Sequence, residues 1–147
     1  MNHFVIRPAV SDDFHHWQPL WQAYLRFYET SIDDETTVTT WNRITSPDED
    51  HKCLICDDKS GQISGFAIYL FHRSSWATTW NCLIEDVYVK EGSRGNGIAS
   101  RLIETIFSDA DKRSCYRTYW QTDQNNIEAR RLYEKLGRLA PVVQYRR

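Results

Sequence analysis

The sequence predicts an α/β domain, a mixed and mostly antiparallel sheet with helices on both faces. Three observations carry this. An aromatic-rich segment near the start repeats at helical spacing. Three strand-like runs follow one another between residues 53 and 90. After Lys90 the pattern changes to a glycine-containing loop, a helix, a strand and a second helix. The 147 residues favour one domain, 1–147, long enough to bury a core without disulfides or metal.

The elements follow in order. Phe4–Arg7 reads as a short strand stopped by Pro8. Ser11 or Asp12 is placed to cap a helix running to about Tyr28. Phe14, Trp17, Leu20, Trp21, Tyr24, Leu25 and Tyr28 fall three and four apart and give that helix one broad apolar face. Residues 29–35 form an acidic loop, and Glu35 to Ile44 a second helix weakened by its threonines. Cys53–Cys56 and Ile63–His72 flank the turn Asp57-Asp58-Lys59-Ser60-Gly61 and make a hairpin. Thr78–Lys90 is a third, long strand. A helix from Gly97 to about Asp111 presents Ile98, Leu102, Ile103, Ile106 and Phe107. Tyr116–Gln121 is a strand, Asn126–Leu136 a helix with Gly137 as its C-cap, and Pro141–Tyr145 a last strand.

Composition excludes several classes. Charged residues are 26% and hydrophobic ones 41%, ordinary globular usage and unlike a disordered chain. No apolar run approaches the ~20 residues of a membrane-spanning helix. No basic segment followed by an apolar one opens the chain, so the expected location is the cytoplasm. Residues 1–89 hold 6 Lys/Arg and 13 Asp/Glu, a balance of −7; residues 90–147 hold 12 and 7, a balance of +5. One half suits a cationic ligand and the other an anionic one. The basic half lacks the density and aromatic interleaving of a nucleic-acid surface. Cys53-Leu54-Ile55-Cys56 has C-x-x-C spacing, but on a strand its thiols point to opposite faces. With no second pair and no ligand spacing among the histidines, no metal site is expected.

The informative segment is Ile84-Glu85-Asp86-Val87-Tyr88-Val89, a polar loop, then Arg94-Gly95-Asn96-Gly97-Ile98-Ala99. Free amides at a helix start favour phosphate, glycines let a pyrophosphate reach the main chain, and Arg94 adds a cation. Neither the Walker-type pattern nor the dinucleotide fingerprint is present.

Arg94-Gly95-Asn96-Gly97-Ile98-Ala99 resembles R/Q-x-x-G-x-G/A, the coenzyme A signature of the GCN5-related N-acetyltransferases (GNAT). Asn126-Ile127-Glu128-Ala129-Arg130-Arg131-Leu132-Tyr133, followed by Gly137, resembles that family's N-x-x-A-x-x-L-Y-x-x-x-G. The two motifs keep the family's order and separation. Phe4-Val5-Ile6-Arg7-Pro8-Ala9, Gly65-Phe66-Ala67 and Leu83-Ile84-Glu85-Asp86 resemble diamine and polyamine N-acetyltransferases. The segments from Trp17 to Glu29 and from Tyr119 to Asp123, with the Tyr145-Arg146-Arg147 ending, are closer to the yeast Hpa-type histone and polyamine acetyltransferases.

The resemblance implies a fold and a set of roles. Strands matching Thr78–Lys90 and Tyr116–Gln121 splay apart, and acetyl-CoA wedges between them. Main-chain groups of Val87, Tyr88 and Val89 take the pantetheine arm. Arg94 and the amides of Gly95, Asn96, Gly97, Ile98, Ala99 and Ser100 hold the pyrophosphate, and Asn126 also contacts the cofactor. Tyr133 lies by the thioester sulfur as acid and also contacts the cofactor, Glu85 serves as base, often through water, and Tyr28, Glu29 and Glu85 help bind the amine. The partner is a small amine or a lysine of a basic protein, with no nucleic acid or membrane, and the chain pairs as a homodimer through its C-terminal strand. Of Glu85 and Asp86, neighbours on a strand, only one can face the cleft; Glu85 is the expected one and Asp86 a solvated or paired carboxylate. An alkylammonium near pKa ~10.4 must lose a proton before it attacks a thioester, which a carboxylate provides for. Two alternatives stay open: the same fold acting on an aminoglycoside or amino acid, and a non-catalytic acyl-CoA sensor.

Overall fold

The computed structural model describes residues 3–147; the N-terminal reading begins at Met1 and Asn2, outside the described residues. Five strands form one sheet in chain order: β1 (Val5–Pro8), β2 (His51–Asp57), β3 (Ile63–Arg73), β4 (Trp80–Val89) and β5 (Arg117–Trp120). The first four pair antiparallel and β5 joins β4 in parallel, so the sheet is mixed and mostly antiparallel as expected.

Helices α1 (Phe14–Phe27) and α2 (Asp34–Ile44) cover one face, and α3 (Ile98–Lys112) and α4 (Ile127–Leu136) the other. Alternation along the strands feeds both. Cys53, Ile55, Phe66 and Ile68 join the α1/α2 core, while Leu54, Cys56, Ala67 and Tyr69 join the α3 core. Cys53 and Cys56 thus lie on opposite faces. Under α1 the Trp17 ring stacks between Trp21 at 5.2 Å and Trp41 at 4.7 Å.

The helix starts differ from the reading. Neither Ser11 nor Asp12 caps α1; residues 11–13 form a 3₁₀ turn. Asp13 instead takes both terminal nitrogens of Arg7 at 2.9 Å and the Val10 amide at 2.9 Å. In the acidic loop, Asp33 is the N-cap of α2 and accepts from the Thr36 amide at 2.7 Å. That bond holds its carboxyl below the usual range. Asp34 and Glu35 sit in the first turn, where the helix dipole favours them.

Two expectations about the C-terminal region are corrected. Gly137 does end α4, but in extended backbone (φ −151°), not the left-handed cap. Glycine is needed there for space: a Cβ would lie 2.9 Å from the Trp120 ring. The strand expected over Pro141–Tyr145 does not form. Gln144 reaches Gln121 beyond the end of β5 through its side chain, at 2.8 Å, and Val142, Val143 and Tyr145 are among the most exposed apolar side chains.

Candidate active site

The β4–β5 pairing runs from Asn81↔Arg117 to Ile84↔Trp120 and stops. Beyond it β4 continues to Val89, with Val87, Tyr88 and Val89 bonded to Ala67, Phe66 and Gly65 of β3 on one side only. The two parallel strands therefore diverge, as expected, and the free edge of β4 opens into a cavity of about 310 Å³. Gly65 lets β4 sit close: a Cβ there would meet the Tyr88 carbonyl oxygen at 2.9 Å.

One wall is the phosphate-type loop. Gly95 (φ +82°) and Gly97 (φ +75°) hold left-handed backbone, and Gly97 starts α3 with no capping side chain. The amides of the first turn, Ile98, Ala99 and Ser100, thus face the cleft without an internal acceptor, at the positive end of a helix whose first turn has no acidic residue. Arg94 donates from Nε to the Val89 carbonyl at 3.0 Å, which ties the loop to β4. Asn96 lies off the cleft and donates to the Ser93 carbonyl at 3.0 Å, bracing the loop.

The opposite wall is α4. Asn126 caps it, accepting from the Ala129 amide at 3.2 Å. Ala129, Leu132 and Tyr133 follow on the cleft side. The Tyr133 ring meets Trp120 edge-on at 5.8 Å, and burial, with a smaller contribution from Tyr28, pushes its hydroxyl up to about 12. A phenol held this far into its neutral form is a proton donor at neutral pH.

The floor comes from α1. Tyr24, Phe27 and Tyr28 line the cleft, with Thr122 beside Tyr28. Tyr24, Phe27 and Thr122 were not singled out by the sequence. Tyr24 read as helix core; its place one turn before Tyr28 on the same face is the signal that could have marked it.

The carboxylates of β4 behave differently from the expectation. Between Ile84 and Asp86 the register with β3 slips, since Tyr69 pairs Ile84 and Ile68 pairs Asp86. Glu85 is the extra residue of a β-bulge. Ile84 and Val87 both enter the α3 core. Glu85 and Asp86 therefore share the α1 face instead of opposing one another. Glu85 is half exposed, lies outside the cleft lining and sits 3.6 Å from His51 Nε2; that neighbour holds its carboxyl below the usual range. Asp86 accepts from the Tyr24 hydroxyl at 2.7 Å, and burial raises it to about 6 against the bond that lowers it. Glu29 is exposed, in left-handed backbone (φ +54°), and lies outside the lining.

Twelve of the fifteen predicted site residues thus converge on one cleft, with Glu29, Glu85 and Asn96 outside its lining. Among the described residues, no group of three His, Cys, Asp or Glu side chains gathers as for a metal, and no helix is long and apolar enough to cross a membrane.

Comparison with known proteins agrees with this geometry. The profile of the acetyltransferase (GNAT) family matches residues 16–137. The chain is 33% identical over 144 residues to the D-amino-acid N-acetyltransferase HPA3 of Saccharomyces cerevisiae, covering 97% of this chain and 89% of that one. It is 33% identical over 75 residues to the thialysine N-epsilon-acetyltransferase of Bos taurus, 51% of this chain and 44% of that one. In fold it resembles a ribosomal-protein-alanine N-acetyltransferase of Brucella melitensis (TM-score 0.82, 21% identity, 97% and 96% of the chains covered). It also resembles an aminoglycoside N-acetyltransferase in complex with CoA (TM-score 0.82, 19% identity, 99% and 95% covered). The chain belongs to the GNAT acetyltransferase family and is an acetyl-CoA-dependent N-acetyltransferase.

Proposed function

We propose that residues 1–147 act as one catalytic domain that moves an acetyl group from acetyl-CoA to a primary amine by direct attack. The carrying observation is the divergence of β4 and β5 next to the open N-terminus of α3, with Tyr133 on the facing wall. The pyrophosphate would take the amides of Gly95 to Ser100 and the Arg94 charge. The pantetheine arm would add to the free edge of Val87, Tyr88 and Val89, with Asn126 beside it. An N–H near Val87 would stabilise the oxyanion.

Glu85, directly or through water, would take one proton from the ammonium; the bulge sets it beside His51, outside the cleft lining, which favours a water between it and the amine. As the C–N bond forms and the C–S bond breaks, Tyr133 gives its proton to the departing thiolate. The second proton of the amine restores it. The relatives' acceptors, a D-amino acid and thialysine, are small amines. We therefore place the acceptor among polyamines, diamines, lysine-like amines and amino acids, with a lysine of a basic protein as the larger alternative. Tyr28 and Glu29 would border it. The exposed apolar segment 141–145 would gain its strand partner in a homodimer, which sedimentation at twice 17.4 kDa would report.

The test is free-thiol release from acetyl-CoA with spermidine, putrescine, thialysine, D- and L-amino acids, an aminoglycoside and a histone-tail peptide. Release with one class names the acceptor. Tyr133→Phe and Glu85→Gln should each lower turnover about 100-fold with CoA affinity kept. No release with any amine, despite CoA binding, would favour the sensor reading.

A further inference from the structure

A second cavity, of about 480 Å³, lies at the other end of α3 from the cleft. The first turn of α3, Ile98 to Ser100, lines the cleft, and its C-terminal end brings Asp109, Lys112 and Arg113 to the second cavity. At 1.5 Å per residue the two are about 20 Å apart. The cavity forms where β1 stops. Pro8 pairs with Leu54 and the Ala9 amide closes on the Cys53 carbonyl at 3.0 Å, so Lys52 stands on a stretch of β2 with no strand outside it. The end of α2 and the turn after it, Ile44 to Pro47, form the facing rim.

Three cations meet there. The Arg113 guanidinium lies on the Phe71 ring at 4.0 Å and donates from Nη1 to Asp50 at 2.9 Å, which holds it in place with its other N–H groups unbonded among the described residues. Lys52 and Lys112 belong to no ion pair among the described residues. Asp109, the one carboxylate of the lining, accepts from the buried Tyr69 hydroxyl at 2.5 Å. Asp50, outside the lining, offsets Arg113, and Asp109 offsets one lysine. A positive charge is left over, beside a wall of Pro8, Ala9, Ile44 and Pro47.

Like charges gathered around a hollow repel one another, and an anion seated among them removes that repulsion. A stacked guanidinium offers paired N–H donors that match an oxyanion, and two ammonium groups add charge to it. The apolar wall takes a hydrocarbon body. None of these residues has a part in the acetyl transfer.

We propose that this cavity is a second binding site, which takes a small organic anion. Its carboxylate or phosphate head sits among Lys52, Lys112 and Arg113, and its apolar body lies against Ile44 and Pro47. The site is separate from the cofactor cleft and stands whether or not the acceptor is the amine proposed above.

The experiment uses protein saturated with CoA, so that the anion-binding amides of the cleft are already filled. Phenyl phosphate, phenylacetate and inorganic phosphate are titrated in separately, with binding read by calorimetry and by amide chemical shifts. One of the two organic anions is expected to bind one to one and to move the amides of Thr45, Ser46, Lys52 and Lys112. The tighter of the two identifies the head, phosphomonoester or carboxylate. Inorganic phosphate is expected to bind at least about tenfold more weakly, because it leaves the apolar wall empty. Lys52→Gln combined with Lys112→Gln is expected to weaken the organic anion at least about tenfold, with CoA affinity and melting temperature kept. Binding of neither organic anion at millimolar concentration overturns the proposal. So does binding that the double variant leaves unchanged, or shifts confined to the cleft. Inorganic phosphate binding as tightly as phenyl phosphate and phenylacetate overturns it as well, since the apolar wall then contributes nothing.

Discussion

The indole of Trp120 occupies the space where a side chain on Gly137 would begin, with Cη2 2.9 Å and Cζ2 3.4 Å from an ideal Cβ. The same ring packs on Phe107 at 5.6 Å and Tyr133 at 5.8 Å. Gly137→Ala must therefore shift Trp120, and with it the wall that carries Tyr133. Overpacking of this kind costs about 1–3 kcal/mol. The expected thermal shift is a fall of roughly 3–10 °C for a domain of this size. Turnover should fall further than stability, and calorimetry beside the thiol assay separates the two.

Gly97 makes the opposite case. A Cβ there meets nothing within 4 Å, but φ is +75°. Gly97→Ala is a backbone substitution, expected to lose about 1–2 kcal/mol from left-handed strain. The same strain disturbs the amides of Ile98, Ala99 and Ser100. CoA should bind about tenfold more weakly, by titration, if those amides hold the pyrophosphate.

Most of the fold was readable because its signals are local. Apolar spacing marked α1 and α3, turn residues marked the β2–β3 hairpin, and the glycines at 95 and 97 marked the loop. What escaped depends on distant partners. The bulge is invisible in Leu83-Ile84-Glu85-Asp86, because it arises where β4 slips against Ile68 and Tyr69 of β3. Simple alternation then put the two carboxylates on opposite faces, and Asp86 was passed over. Gly137 looked like a left-handed cap because that is the commonest reason for glycine after a helix. Its actual reason, the Trp120 ring of β5, lies seventeen positions earlier in the sequence. Pro141–Tyr145 has strand composition, but it stays outside the sheet with Val142, Val143 and Tyr145 exposed.

The cysteines should be quiet in the thiol assay. Cys53, Cys56 and Cys82 are buried. Burial pushes Cys56 up to about 11 and Cys82 up to about 12, and moves Cys53 higher still. Only thiolate reacts with a disulfide reagent. Cys115 is partly exposed, though its thiol is also raised by burial. Native protein should thus titrate no more than one thiol quickly, at Cys115, and all four after denaturation. Fast titration of three or four in the native state would contradict the packing of both cores.

Asp86 makes stability depend on pH in an unusual direction for an aspartate. Its folded value, about 6, lies above the ordinary 3.8 because burial disfavours the charge. Between those values the folded chain binds more protons than the unfolded one, so stability falls as pH rises from about 4 to 6. The displacement corresponds to about 3 kcal/mol, fully lost above the folded value. Glu85 works the other way through His51, but its half-exposed side chain makes that contribution small. Asp86→Asn keeps an oxygen for Tyr24 and removes the charge. Its unfolding free energy should therefore match wild type near pH 4 and exceed it at pH 7.5. Denaturant titrations of both proteins across that range provide the comparison. Identical curves would mean that Asp86 is as well solvated in the folded chain as in the unfolded one.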